Sequence, residues 1–407
     1  MCWFNEPFAA RLNMGVLQAF ATSARREAVW LQRSRWDLAM ISWVPLLAVA
    51  LLWWTFSAGL PNRLPIGVLD QDHSALSRQL IRFLQATPGL QVVRPYDNTA
   101  EVTQAMRRAE VYAVVSIPPD FARSLKQGRA AQVTLLHNAQ LGTHSSLIQR
   151  DVRSAVGTLS AGVELAARQK RGEPALATLV SMEPIKTSLV TLFNPSLNYE
   201  QFLAAALIPA LLHILAMTAG AWAVGRELRD RTVADWLRPH TSWSSTAAAL
   251  LGKLFWPWLG LGLVGTLAML WLTLGRGWHP PGSLAWVLLA LWAFLALSLT
   301  MGALASSASR SLRTALSTTG FITAPAFAFG GVGFPLQSMP VLARGWAELL
   351  PYTHYIRLQM EQLQMAAPLS YSVKTLVALA LVAIVLGFLC APLLNRCASQ
   401  PDTWGGR

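Results

Sequence analysis

The sequence predicts an α-helical polytopic membrane protein with six transmembrane helices and an inserted α/β extracytoplasmic domain. Hydrophobic residues make up 53% of the 407 residues and charged residues only 13%, against roughly 25% charged residues in soluble domains. Long apolar stretches alternate with basic segments, and short strand-like and helix-like runs alternate between the first two of these stretches. The 17 Trp residues agree with this class, because indole rings favour the membrane–water interface.

Six stretches reach or approach the roughly 20 apolar residues that a helix needs to cross a hydrocarbon core of about 30 Å. They are Leu38–Leu60, Phe202–Val224, Leu254–Leu274, Leu284–Leu304, Ala315–Val332 and Val373–Leu394. The fifth is short and contains Pro325, which a bundle tolerates where neighbouring groups satisfy the freed backbone. We therefore expect the first transmembrane helix in residues 37–60, the other five in 199–394 and a cytoplasmic tail in 395–407.

The distribution of Arg and Lys predicts the orientation. Basic residues cluster before the first stretch, after the second and after the fourth, whereas the loop after the third has only Arg276. Because Lys and Arg resist translocation, both termini are expected on the cytoplasmic side of the membrane and residues 61–198 on the other side. The membrane is expected to be a bacterial inner (plasma) membrane, which places residues 61–198 in the periplasm. Residues 1–36 are expected to form an interfacial helix, about Ala9–Trp36, whose basic side faces anionic lipid.

The segment 61–198 has the pattern of a small sheet covered by helices. Strands are expected at Leu64–Leu69, Val111–Ile117 and Gln132–Leu136, and helices at Ala75–Gln85 and Ala139–Arg171. Ser74 is a plausible N-cap for the first of these helices.

Several classes of chemistry have no support in the sequence. The pair Gly252–Lys253 lacks the glycine-rich lead and the Ser or Thr of a phosphate-binding loop, and we expect Lys253 to extend to the cytoplasmic headgroups. The seven His residues form no metal-binding pattern, and no catalytic acid, base or nucleophile pattern is present. We therefore expect no cofactor, no metal and no enzymatic activity in this chain. The net charge of +13 comes without a nucleic-acid-binding signature, so no nucleic acid partner is expected.

Two features of the apolar stretches bear on transport. They contain no internal Asp or Glu, which argues against a carrier coupled to protons or sodium, so the energy is expected from a partner. His213 lies within the second stretch, where it either forms a hydrogen bond across helices or lines a transport path; the structural role is favoured.

The loop 225–253 carries charges at helical spacing. Arg226 with Asp230, and Glu227 with Arg231, fall four residues apart, so a helix would pair them on its surface. Trp236, Leu237 and Pro239 would follow as an apolar tip. The loop is then either a contact element for a cytoplasmic protein or an ordinary solvated loop helix. The spacing alone favours neither interpretation over the other.

This loop resembles the cytoplasmic element of the ABC-2 permease family, the membrane subunits of ABC exporters, with the pattern RExExGTxEQLLxxPxxxxxxxxGK. Matching residues occur in order at Arg226, Glu227, Thr232, Trp236, Leu237, Pro239, Gly252 and Lys253, whereas Arg231, Ala234, Asp235 and Arg238 depart from the pattern. The motifs FNPSLNYEQFLAAALIP (193–209), GFPLQSMP (333–340) and LPYTHYIR (350–357) are similar to further family elements, and residues 61–198 look like the domain that long members insert.

The resemblance implies a permease that pairs with a second permease and is driven by a separate cytoplasmic ABC ATPase that hydrolyses ATP. It implies an ATPase-coupling role for Arg226, Glu227, Arg229, Asp230, Arg231, Trp236, Leu237 and Pro239. It also implies an outer re-entrant segment, 333–371, whose gate residues are Phe334, Pro335, Met339, Pro340, Pro351, Tyr352 and Tyr355. For Pro325, Pro335 and Pro340, simple chain reversal at the membrane surface is an equally weighted alternative. Transport would be outward, of an amphiphilic or drug-like molecule, with a periplasmic adaptor protein as a further candidate partner. The competing hypothesis is a membrane-anchored scaffold or binding protein that acts through its outer domain.

Overall fold

The structure, a computed structural model, describes residues 8–127, 129–139, 142–170, 198–238, 242–400 and 404. The chain divides into two compact units, one formed by Met1–Gly59 with Thr191–Arg407 and the other by Leu60–Val190. Each unit has its own hydrophobic core.

The first unit is helical. It contains α1 (Phe8–Arg33), α2 (Arg35–Ile41), α3 (Trp43–Phe56), α8 (Ala205–Arg229), α9 (Val233–Leu237), α10 (Trp243–Leu270), α11 (Leu284–Ser309), α12 (Leu312–Thr323), α13 (Ala326–Phe329), α14 (Val341–Leu349), α15 (Pro351–Leu363) and α16 (Leu369–Ser399). A π-helical turn, Glu200–Ala204, leads into α8, and another, Trp271–Gly275, extends α10.

Five helices of the described residues are long and apolar enough to cross a membrane. They are Arg35–Phe56, Glu200–Arg229, Trp243–Gly275, Leu284–Ser309 and Leu369–Ser399. The fifth predicted stretch, Ala315–Val332, is instead divided between α12 and α13, with Pro325 as the N-cap of α13. Because Pro has no N–H to continue a helix, the longer piece spans only about 18 Å, less than the hydrocarbon core of about 30 Å. The prediction of six spans is therefore not confirmed.

Helices α8 and α11 pack closely against each other. A Cβ on Gly302 would lie 1.9 Å from the carbonyl oxygen of Met217, so only Gly permits this approach of the two backbones. His213 of α8 lies beside the contact, and its Nδ1 is 2.8 Å from the Ser298 hydroxyl of α11. This confirms the predicted structural hydrogen bond across helices.

The second unit contains a four-stranded sheet in the order β2–β1–β3–β4. Its elements are β1 (Leu64–Asp70), α4 (Ala75–Ala86), β2 (Leu90–Tyr96), α5 (Thr99–Arg107), β3 (Ala113–Ile117), α6 (Phe121–Lys126), β4 (Thr134–His137) and α7 (Gly142–Lys170). β1 pairs in parallel with β2 and β3, and β4 is antiparallel to β3. The predicted cap is confirmed, since the Ser74 hydroxyl accepts from the Ser77 N–H at 3.1 Å. The elements β2, α5 and α6 were not predicted.

Candidate functional site

The predicted coupling loop begins inside a helix. α8 continues through Arg226 and Glu227 to Arg229, and a turn follows in which Arg231 adopts a positive φ of 58°. The turn leads into the short helix α9, and α10 starts at Trp243 behind the capping residue Ser242. Pro239 lies outside the described residues.

Arg226 is the centre of a buried group of charges. Its side chain is only 3% exposed, and its guanidinium donates to both oxygens of Glu27 at 2.9 and 2.7 Å. The same guanidinium donates to Asp37 at 3.1 Å and lies 4.3 Å from the ring centroid of Trp30. Arg226 therefore ties the end of α8 to α1 and α2 of the N-terminal segment.

Lys253 and Glu227 extend this group to α10. The Lys253 ammonium, which is 1% exposed, donates to Glu27 at 3.0 Å and to Glu227 at 2.7 Å. Glu227 also accepts from Arg26 at 2.8 Å and from the Thr232 hydroxyl. Arg26, Glu27, Asp37, Arg226, Glu227 and Lys253, here called the ion-pair network, contain three cations and three anions. Charges out of water are tolerated when each has oppositely charged, hydrogen-bonded neighbours, and the network meets this condition.

Helix α1 lies directly against α10 at the same place. A Cβ on Gly252 would lie 2.3 Å from the Phe20 carbonyl oxygen, so Gly permits the close approach. The indole of Trp256 donates to the Ala24 carbonyl at 2.9 Å, and that of Trp236 donates to Ser23 at 2.9 Å. The predicted interfacial helix is thus joined to the bundle and to α9 by packing and hydrogen bonds.

The other side of the turn is exposed. Arg229, Asp230, Arg231, Asp235 and Arg238 all face away from the core. Asp235 and Arg238 form an exposed ion pair of 3.6 Å, with 63% and 80% of their side chains accessible. A hydrogen bond from Arg229 lowers the pKa of the Asp230 carboxyl, so Asp230 is charged at neutral pH.

These contacts correct three predictions. The expected pairs Arg226–Asp230 and Glu227–Arg231 do not form, because Arg226 and Glu227 are buried against α1 and α10 while Asp230 pairs with Arg229. Lys253 does not extend to headgroups, because α1 covers it. Trp236 and Leu237 are not an exposed tip, since each is only 3% exposed and packs into the helical core.

A second buried acid lies at the opposite end of the same span. Glu200 is 4% exposed and accepts from the Trp53 indole at 2.7 Å and from Arg276 at 2.9 and 3.2 Å. Arg276 also donates to the Ser57 carbonyl at 3.1 Å. We call Glu200, Arg276 and Trp53 the Glu200 clasp; it links α3, the start of the second span and the end of the third.

The predicted outer segment separates into an exposed and a buried part. Phe334 is exposed, Pro335 precedes a short 3₁₀ helix, Leu336–Ser338, and Met339 and Pro340 lead into α14. Pro351 begins α15, where the Tyr352 hydroxyl donates to the Ala206 carbonyl at 2.9 Å and Tyr355 stacks on Phe294 at 4.8 Å. The two tyrosines therefore hold α15 against α8 and α11, and the gating role stays a prediction.

Glu27, Asp37 and Glu200 are the residues that sequence reasoning missed. Glu27 is the only acid in the otherwise basic α1, and that isolation is the signal that could have drawn attention to it. Within the part of the chain that the structure describes, no group of three or more His, Cys, Asp or Glu could hold a metal ion.

Comparison with known proteins adds an independent observation. A family model described as "ABC-2 family transporter protein" matches residues 35–391. ABC transporter G family member 20 of Dictyostelium discoideum is 22% identical over 310 residues, which cover 75% of this chain but only 40% of that relative. The probable multidrug ABC transporter permease YbhS of Escherichia coli K12 is 22% identical over 326 residues, 79% of this chain and 82% of that protein.

Proposed function

This chain belongs to the ABC-2 family of transporter proteins, and on that premise we propose that it is the permease subunit of an ATP-driven exporter. Membership makes it a membrane subunit of an ABC transporter. The proposal adds that it moves an amphiphilic or drug-like substrate outward across a bacterial inner membrane and uses a separate cytoplasmic ATPase.

One observation carries the proposal: the turn between α8 and α10 has a buried face and a charged exposed face. The buried face, with Arg226, Glu227 and Trp236, is fixed to α1 and α10. The exposed face, with Asp235 on α9 and Arg238 directly after it, is accessible to solvent. A partner that pushes on α9 would therefore displace α8, α10 and α1 together, which is what transmission of a nucleotide-driven movement requires.

The partner's chemistry follows from this surface. In our proposal the chain binds no cofactor, and ATP is bound and hydrolysed by an ATPase subunit that contacts α9. The residues of the predicted site divide accordingly: Arg229, Asp230 and Arg231 contact the ATPase, whereas Arg226, Glu227, Trp236 and Leu237 hold the contact surface in place. A second permease would complete the transport path, and a periplasmic adaptor protein is a further proposed partner.

The test is co-purification of the tagged full chain in mild detergent, followed by mass spectrometry and an ATPase assay. We expect a soluble ATPase in the eluate, and Arg238→Glu to reduce its amount at least severalfold. Arg123→Glu is a matched control, because Arg123 is also exposed and also pairs with an Asp three residues away, in the second unit. If the two variants retain equal amounts of ATPase, the coupling role of α9 is wrong.

The same experiment addresses the second candidate function, a membrane-anchored scaffold or binding protein. That candidate is favoured by the separate core of the unit Leu60–Val190, which needs no transport role to be stable. Recovery of envelope proteins without ATPase activity would support it and contradict the exporter proposal.

A further inference from the structure

A groove of about 480 Å³ opens on the side of the helical unit, between α11, α14, α15 and α16. Its walls are apolar for most of their length, with Leu297 and Met301 on α11 and Ala378, Val382 and Leu386 on α16. Its rim at the start of α16 is polar and contains Glu348, His354 and Lys374. The groove therefore has one charged end and one apolar end, as an amphiphile has.

The length of the groove matches one leaflet of a bilayer. Lys374 and Leu386 lie twelve positions apart in sequence on α16, a distance of about 18 Å along the helix axis. Half of a hydrocarbon core of about 30 Å is roughly 15 Å. An acyl chain that follows this wall would begin at the headgroup level beside Lys374 and end near the bilayer midplane.

The charge at the rim favours an anionic headgroup. Glu348 is neutralised by Arg344, whose Nε lies 3.0 Å from its carboxylate, and His354 bonds through Nε2 to the Glu348 carbonyl. Glu361, close to the start of α16, is likewise paired with Arg357 at 3.3 Å. Among the residues that the structure describes, Lys374 has no ion-pair partner, so the rim carries one uncompensated positive charge.

We propose that this groove binds one anionic phospholipid of the surrounding bilayer, with its phosphate at Lys374 and one acyl chain between α11 and α16. The bound acyl chain would fill the groove between α11 and α16, next to α14 and α15. It would thereby support the outer segment from the side of the hydrocarbon core. This inference does not depend on the direction of transport or on the substrate.

Native mass spectrometry of the full chain, released from detergent with equal amounts of phosphatidylglycerol and phosphatidylcholine, tests the proposal. We expect one tightly bound lipid with a roughly fivefold preference for phosphatidylglycerol, the factor that one Lys near an anionic headgroup supplies. Lys374→Gln should abolish the preference and Lys374→Arg should keep it. Equal binding of the two lipids to the unaltered chain, or a preference that survives Lys374→Gln, would overturn the proposal.

A second pair of variants tests the apolar wall. Ala378→Trp should fill the groove and remove the bound lipid of either kind, whereas Val377→Trp, on an adjacent exposed position outside the groove, should retain it. Retention of the lipid by Ala378→Trp would place the lipid elsewhere. Oxidative cross-linking of Ala378→Cys between two copies of the chain would identify the groove as a contact between permeases and would also overturn the proposal.

Discussion

The two ends of the span Glu200–Arg229 both bury an acid, but they hold it differently. At the C-terminal end of α8, Glu227 belongs to the ion-pair network, whose six charged residues lie on α1, α2, α8 and α10. At the other end, Glu200 has one cation among the residues that the structure describes, Arg276, whose side chain is 40% exposed to solvent. Ion pairs that reach solvent contribute little, whereas removing one partner of a buried pair is costly. The comparison indicates that the α8 terminus is the more firmly fixed of the two ends.

The largest effect is expected from Arg226→Ala. It leaves Glu27 and Asp37 without their main cation, so the free energy of unfolding should fall by about 3–5 kcal/mol. Thermal or denaturant unfolding in detergent measures this. Arg229→Ala, at the exposed end of the same helix, is the control and should cost only about 0–1 kcal/mol. Similar losses in the two variants would contradict the buried network.

The next effect is expected from Lys253→Met, which leaves Glu27 and Glu227 with unbalanced charge. We expect a loss of about 3 kcal/mol in the free energy of unfolding, part of which Glu227→Gln should restore in the double variant. The measurement is a double-mutant cycle over the same unfolding transition. Strict additivity of the two changes would show that the two side chains do not interact.

Glu200→Gln gives a direct comparison with Glu227→Gln, because the same change is made at opposite ends of one span. Gln still accepts a hydrogen bond from Trp53 but loses the charge that faces Arg276, so a loss of about 1–2 kcal/mol is expected. The loss from Glu227→Gln should be at least twice as large. If Glu200→Gln costs more, the end at the Glu200 clasp is the fixed one.

The smallest effect concerns the exposed pair Arg229–Asp230. In the folded chain the pKa of Asp230 is lower than its ordinary value of 3.8. Its contribution to the free energy of unfolding is therefore present above pH 3.8 and is lost as the pH falls through the folded pKa. Because the pair is exposed, Asp230→Asn should cost about 0–1 kcal/mol at pH 7. The difference between the variant and the unaltered chain should diminish as the pH falls through the folded pKa of Asp230 and should shrink in high salt. A difference that persists under both conditions would indicate a buried role for Asp230.

Local patterns in the sequence predicted much of the fold. Long apolar runs identified five of the membrane helices, and the strand-like runs at Leu64 and Val111 correspond to central strands that are buried on both faces. The sequence LQVVRPY does not predict a strand, because β2 lies at the sheet edge, where its middle is exposed and Pro95 is tolerated. Pro325 is compatible with a span by composition, yet it separates the two short helices α12 and α13.

The candidate site was located by resemblance, but its contacts were not predictable. A prediction from a spacing of four residues holds only if each charged side chain pairs with another residue of its own helix. Arg226 and Glu227 instead find partners on α1, and these lie about two hundred positions away in sequence. No local pattern specifies such a contact, because it depends on which helix covers the end of α8.

The contact between Glu27 and Lys253 has a consequence for biosynthesis. The two residues are 226 positions apart, and a ribosome that adds about 5–20 residues per second needs roughly 10–45 s to travel between them. During that interval α1 has been made but its partners in α8 and α10 have not. Its arginines and its single acid must meanwhile be accommodated by water and lipid headgroups, so the N-terminal helix can dock only after the third membrane helix has begun to emerge.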